Sequence, residues 1–398
     1  MKTQPFSDFL YYHELARQIA NGGQWGDTYT TVGYSVVLGF FYKLFGAKIA
    51  IAKGLNLTLS VMSSLLVLGI LIRMNLSQRI RRTILLCFIL FPMNIYYNSI
   101  LATEMLFTSL LLLIIYIYLS DTVHKYWIIG LLTGIDTMIK PFFLVFFLVI
   151  LLTELIISKK LLPSLRKGLI VLSVSILIIS PWLYRNYKLM GEFTYVSNNG
   201  GIVLYINNNS QNKYGGWMPA GDVKNSLINL PEYKLANSTQ KNRMLTLAAK
   251  QWIKSHPLEF LVLGMKRLSL TYFSMKDINY AFYGTTIPQN IRLGFASASK
   301  FTIRPIFILG IVSIFTTTYL IIRRKIAPSA RTLELETYKN DIFLLLIFYM
   351  FTGVYFLTEG QSRYSFPLIF IIIYYFVMGL RYLKNALDKP AFTKPPAR

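Results

Sequence analysis

What most constrains this chain is a repeated pattern of apolar runs, near 50–72, 83–98, 104–119, 126–139, 141–157, 169–183, 301–322, 341–357 and 365–381, separated by short polar segments. A helix needs about 20 apolar residues to cross roughly 30 Å of hydrocarbon, and these runs reach or approach that length. So many of them can be buried together only in a bilayer. The pattern predicts an all-α polytopic membrane protein with nine spans, and a 54% hydrophobic composition with mean hydropathy +0.48 agrees with it.

The formal net charge of +24 is unevenly placed. Lys and Arg gather in RMNLSQRIRR at 73–82, KKLLPSLRK at 159–167, RRKIAPSAR at 323–331 and the tail after Arg381. Such loops face an anionic cytoplasmic leaflet, so the charge points to membrane lipid and away from nucleic acid. Residues 1–49, the tip from Asn98 to Glu104, residues 184–300 and the loop 358–364 are then expected outside. The chain divides accordingly into a first outer loop (1–49), a transmembrane bundle (50–183), an extracytoplasmic segment (184–300), and C-terminal helices with a cytoplasmic tail (301–398). The single cysteine, Cys87, lies in an apolar run, so neither an intramolecular disulfide nor a cysteine metal site is expected.

No basic-then-apolar leader opens the chain. A polar N-terminal segment usually reaches the outside behind a preceding membrane helix. Two expectations follow: a first span lies upstream of this sequence, or the amphipathic segments before residue 50 stay at the interface and the first span inserts N-out.

Within the first outer loop, Phe9, Tyr12, Ala16, Ile19 and Ala20 recur at helical spacing, and Ser7 or Asp8 is placed to cap that helix. An ionised Asp8 at a helix N-terminus is favoured by the macrodipole, as a plain cap or as a base or cation ligand. TVGYSVVLGFFYKLFG at 31–46 is short for a span and ends on a glycine, so an interfacial or re-entrant helix is expected, with Lys43 and Lys48 near lipid phosphates or snorkelling.

Several polar groups interrupt the apolar runs. FPMNIYYNSILATEMLF at 91–107 reads as a tip between helices, with Glu104 opening the next one as a helix N-terminal acid or as a functional group at membrane depth. Asp136 and Lys140, four apart, share a helical face and can pair; alternatively Lys140 presents a cation to a phosphate. After Pro181-Trp182 the apolar run stops, and Arg185 and Asn186 open a stretch rich in Gly, Asn and Tyr, residues suited to carbohydrate contact and equally to turns and β-hairpins. Residues 238–273 read as two helices broken at His256-Pro257, the second held in the interface by Lys266 and Arg267. Glu359, Arg363 and Tyr364 occupy a very short outer loop, where Arg363 is an interface anchor or a functional group.

Five stretches together resemble the membrane glycosyltransferases of the GT-C fold, the family 39-like group related to protein O-mannosyltransferases and lipid A aminoarabinose transferases. They are SDFLYYHELARQIANGG with GYSVVLGFFYKLFG, ATEMLF, MIKP, PWLYRNYKLMGEFTYVSNNGGIVLYINNN, and SRYSFP. The resemblance implies a GT-C-like transmembrane bundle with outer-face amphipathic helices and a small mixed extracytoplasmic segment. It also implies transfer of a sugar, with inversion, from a polyprenyl-phosphate donor to a cell-envelope acceptor on the extracytoplasmic face of the cell membrane. In that reading Asp8 holds the position of the catalytic base and Glu104 is a second acid orienting the acceptor or a divalent cation. Lys140, Arg185 with Asn186, and Arg363 with Tyr364 are then the groups binding substrate and the departing phosphate. The Lys-Pro dipeptide that follows the first acidic helix in aminoarabinose transferases is absent between residues 20 and 45, so the resemblance names no sugar. A polymerase or ligase of polyprenyl-linked glycans shares the basic outer loop but needs no acid in the first outer segment. A transporter is expected to show internal repeats, and none is detected.

Overall fold

The computed structural model describes residues 3–326 and 338–387. The basic segment 323–331 past Ile326 and the tail past Leu387 lie outside the described residues. What is described is helical throughout, with no strand among the described residues. The expected mixed segment at 184–300 is therefore corrected to short helices and 3-10 turns. Its asparagines cap the chain locally: Asn209 and Asn212 bond the carbonyls of Tyr205 and Ile206, satisfying groups that a hairpin ladder would otherwise use.

The chain begins with α1 (Ser7–Ala20) and α2 (Gly33–Phe45), packed on each other. The apolar spacing of α1 puts Phe9 and Ala16 inward beside Tyr34, Leu38 and Tyr42 of α2, all buried. A 2.6 Å bond between His13 Nδ1 and the Tyr42 hydroxyl closes the pair. Gly39 lets the α1 backbone approach, since a Cβ there would meet the Ala16 carbonyl at 3.1 Å. Helix α2 stops at Gly46, whose φ of 88° suits glycine alone.

The bundle follows as α3 (Ile49–Arg73), α4 (Gln78–Ile89), α5 (Pro92–Tyr96), α6 (Thr103–Tyr118), α7 (Lys125–Thr137), α8 (Phe146–Ser158) and α9 (Leu161–Met190). After the 184–300 segment it resumes as α14 (Gln289–Ile326), α15 (Lys339–Leu357) and α16 (Ile369–Leu387); between them lie α10 (Gly200–Asn207), α11 (Pro231–Leu235), α12 (Ser238–Ser255) and α13 (Pro257–Phe273). Among the described residues six helices are long and apolar enough to cross a membrane, or seven if the bent pair Gln78–Ile89 and Pro92–Ser99 counts as one span. This is a helical membrane protein, with fewer full-length spans than the nine apolar runs suggest. Helices α6 and α7, of 16 and 13 residues, rise only about 24 and 20 Å. The bend of 50° in the pair falls at Pro92, which has no N–H to continue the ladder.

Two boundaries differ from the sequence reading and one agrees with it. Helix α9 runs through Pro181-Trp182 to Met190 and ends at Gly191, with φ of 72°, so the division at 183/184 cuts a helix. Helix α14 starts at Gln289, so the division at 300/301 does too. The pair α12 and α13 does break at His256-Pro257. Arg267, however, is not an interface anchor: it is wholly buried and bonds Phe356 O at 2.7 Å, Asn208 Oδ1 at 2.9 Å and Asn207 O. That network ties α13 to the end of α15 and to α10, and burial pulls the guanidinium down to about 10. Only Lys266 stays exposed at that step, bonding Lys213 O at 2.8 Å.

Candidate functional site

Asp8 is carried on the first turn of α1, yet neither Ser7 nor Asp8 caps that helix with its side chain; the capping position is Phe6. The start of the helix is fixed by aromatic packing. The Phe6 ring meets Phe9, Tyr280 and Tyr283 at 5.4, 5.5 and 4.1 Å, and Gln4 N donates to Tyr283 O at 3.2 Å. Asp8 is thus free of capping duty, and its Oδ2 accepts from the Arg363 guanidinium at 3.2 Å. The pair is asymmetric in exposure, with the Arg363 side chain 15% and the Asp8 side chain 53% exposed.

Arg363 belongs to the 3-10 turn Ser362–Leu368 that leads into α16. Its backbone N–H donates to Asp277 Oδ2, from the 3-10 turn Lys276–Phe282. Its side chain lies over the Phe9 and Tyr364 rings, at 5.9 and 5.6 Å. The Nε is closed off and has no hydrogen-bond partner, while Nη1 donates to no other described residue, so the guanidinium keeps donor capacity at Nη1 after Nη2 bonds Asp8.

Glu104 opens α6 behind this pair and is 2% exposed. It accepts from Lys140 Nζ at 3.1 Å and from Thr103 Oγ1 at 3.3 Å, and it also feels the charge of Arg363. Lys140 in turn lies 5.6 Å from the centre of the Tyr364 ring. The Tyr364 hydroxyl donates to Glu359 Oε2 at 2.9 Å, and Gln361 Nε2 donates to Glu359 Oε1 at 2.6 Å. Burial pushes the Glu359 carboxyl up, against the pull of Gln361 and Arg363. Burial likewise pushes Asp277 up to about 6, against the pull of Arg363.

The expected pairing of Asp136 with Lys140 is corrected. Helix α7 ends at Thr137 and Lys140 is in extended backbone, φ −130° and ψ 100°, so the shared helical face ends before Lys140. Lys140 turns to Glu104 instead, and both carboxylate oxygens of buried Asp136 lack a hydrogen-bond partner.

Asp8, Glu104, Lys140, Arg363 and Tyr364 therefore converge from four separate parts of the chain. Arg185 and Asn186 do not join them. Arg185 reaches the carbonyls of Trp25, Gly26 and Asp27 and lies 4.1 Å over the Trp182 ring. Fully buried Asn186 donates to Tyr195 O at 2.8 Å. The two pin the loops 24–27 and 195–196 onto the end of α9. An open apolar cleft of about 560 Å³ beside Arg185, floored by Trp25, Met138, Ile178 and Trp182, is lined by none of the converging charges.

Asp277 and Glu359 are members of the site that the sequence reading did not assign. The signal for each was its scarcity, an acid in a chain with 17 acids against 41 Lys and Arg. Among the described residues no group of three or more His, Cys, Asp and Glu side chains is gathered as metal ligands. Glu104 meets its charge through Lys140. Chemically, the cluster offers one exposed carboxylate able to accept a proton, backed by a partly buried guanidinium with unspent donors and by a second, deeper ion pair. Compared with protein-family models, curated proteins and solved structures, the chain shows no significant match.

Proposed function

We propose that this protein is an integral membrane glycosyltransferase that moves a sugar from a polyprenyl-phosphate donor to a hydroxyl of a cell-envelope acceptor, inverting the anomeric carbon on the outer face of the membrane. The observation that carries the reading is the exposed Asp8 carboxylate 3.2 Å from a partly buried Arg363 guanidinium, at the end of a membrane helix bundle. Transfer of this kind needs a base for the acceptor hydroxyl and cations for the phosphate that leaves.

In the proposed step the acceptor oxygen bonds the anomeric carbon as the bond from that carbon to the phosphate oxygen breaks. The electron pair departs with the lipid phosphate, and the acceptor proton goes to Asp8. Arg363 stabilises the growing phosphate charge through the donors it has not spent on Asp8. Lys140, held by Glu104, adds a second cation deeper in the site. Tyr364, fixed by Glu359, supplies the wall between them.

The test is transfer of labelled sugar by the purified protein in lipid nanodiscs, with polyprenyl-phosphate sugars compared with nucleotide sugars and a cell-envelope extract as acceptor. Transfer from a polyprenyl-phosphate sugar is expected. Transfer from nucleotide sugars alone, or from neither, overturns the reading.

A further inference from the structure

A second charged cluster lies at the other end of α6, roughly 21 Å from Glu104 along the helix axis. Its centre is Glu154 on α8, 5% exposed, which accepts from the hydroxyls of Tyr118 and Tyr126 at 2.9 Å each and from Lys167 Nζ at 2.7 Å. Three ammonium groups surround the two tyrosine rings. Lys125 Nζ is 5.2 Å from the Tyr118 centre and 5.6 Å from that of Tyr126, Lys167 Nζ is 5.3 Å from Tyr126, and Lys339 Nζ is 5.9 Å from Tyr118.

These groups come from the ends of α6 and α8 and the starts of α7, α9 and α15, so the fold gathers them from five helices. Lys125 feels the repulsion of both Lys167 and Lys339. Glu154 and the exposed Asp121 are the acids that act against this repulsion at Lys125, while Asp341, two residues after Lys339, accepts from the hydroxyls of Tyr374 and Tyr375. Lys125 uses two N–H donors on the carbonyls of Tyr118 and Ser120, at 3.1 and 3.4 Å, and one remains.

Like charges held this close, half out of water, are relieved by an anion that bridges them. A phosphate group has the charge and the several acceptor oxygens to do so. The cluster belongs to the end of the bundle that carries the basic segments 73–82 and 159–167, where anionic lipid headgroups supply phosphate at high local concentration. We propose that Lys125, Lys167 and Lys339 form a binding site for the phosphate of an anionic membrane lipid, on the face opposite Asp8 and independent of the transfer reaction.

The experiment uses the purified full chain and measures retention of phosphatidylglycerol by native mass spectrometry, with phosphatidylcholine and inorganic phosphate as separate probes. Wild-type protein is expected to retain phosphatidylglycerol over phosphatidylcholine, and Lys125→Gln with Lys339→Gln is expected to weaken that retention threefold or more. Lys125→Arg with Lys339→Arg is expected to preserve it. Lys167 is left intact because it neutralises Glu154. If the double glutamine variant does not fold, Lys339→Gln alone removes a cation while leaving the Lys125 donors to the carbonyls in place. Equal retention by wild type and the glutamine variant overturns the site. Binding of inorganic phosphate without any preference for phosphatidylglycerol overturns the lipid as its source.

Discussion

Arg363 and Asp8, separated by 355 positions in the chain, meet at 3.2 Å. The contact joins the first amphipathic helix to the turn before α16. Because Asp8 is half exposed, the pair adds little stability, about 0–1 kcal/mol for ion pairs of this exposure. Its effect is positional. A partly buried guanidinium, its residue fixed through the backbone by Asp277, holds a water-facing carboxylate in one place.

Replacing Asp8 by Asn should separate catalysis from folding. Asn retains an oxygen for Arg363, and the helix start rests on Phe6 packing rather than on a side-chain cap. The melting temperature in detergent should move by no more than a few degrees. Sugar transfer should fall on the order of a hundred- to ten-thousand-fold, the usual cost of losing a general base. An Asp8→Asn protein that transfers at the parent rate would remove Asp8 from the mechanism.

The buried pair of Lys140 and Glu104 should behave as a unit. Lys140→Met leaves Glu104 charged and nearly enclosed, and breaking such a pair typically costs about 3–5 kcal/mol. Adding Glu104→Gln should restore much of the lost stability, because the orphaned charge is gone. Thermal unfolding of both single variants and the double variant gives the coupling energy; additive effects would show that the two side chains do not depend on each other.

Arg185 and Arg363 should respond differently to the same change. Arg185→Gln frees the 24–27 loop from its carbonyl contacts, so faster proteolysis there is expected with little change in KM for donor. Arg363→Gln should raise donor KM or lower kcat at least tenfold while the loop stays protected. Equal effects on donor kinetics from both variants would place Arg185 at the substrate.

Asp277 predicts a pH signature. Its folded pKa is raised by burial, to about 6 from the ordinary 3.8, so between those values the folded protein holds a proton that the unfolded chain has released. Stability from this group is therefore greatest below pH 4 and declines as pH rises to 6, by up to about 3 kcal/mol at 1.36 kcal/mol per unit. Asp277→Asn still accepts the Arg363 N–H and lacks the titration. The melting temperature of wild type relative to this variant should fall between pH 4.5 and 7, and a constant difference would exclude the effect.

The membrane class, the α1 and α2 helices and the tip before α6 were legible in the sequence because each follows from local pattern: period, proline, glycine stop. Partner choice was not. Four-residue spacing suggested Asp136 with Lys140, but that rule holds only while the helix continues, and α7 stops at Thr137. Lys266 and Arg267 looked alike as interface cations, yet tertiary packing against the end of α15 buries one and leaves the other in water. The meeting of Asp8 with Arg363 and Asp277 depends on contacts between distant parts of the chain, which no window of sequence contains.

The shortness of α7 has a consequence for the lipid beside it. Helix α6 exposes none of its residues and is screened by protein, but α7, about 20 Å long, turns Trp127 and Leu131 outward where a relaxed hydrocarbon layer is roughly 30 Å deep, so the bilayer must thin along α7 or water must fill the difference. The thinning, or the water, lies on the face of α7 that carries Trp127 and Leu131.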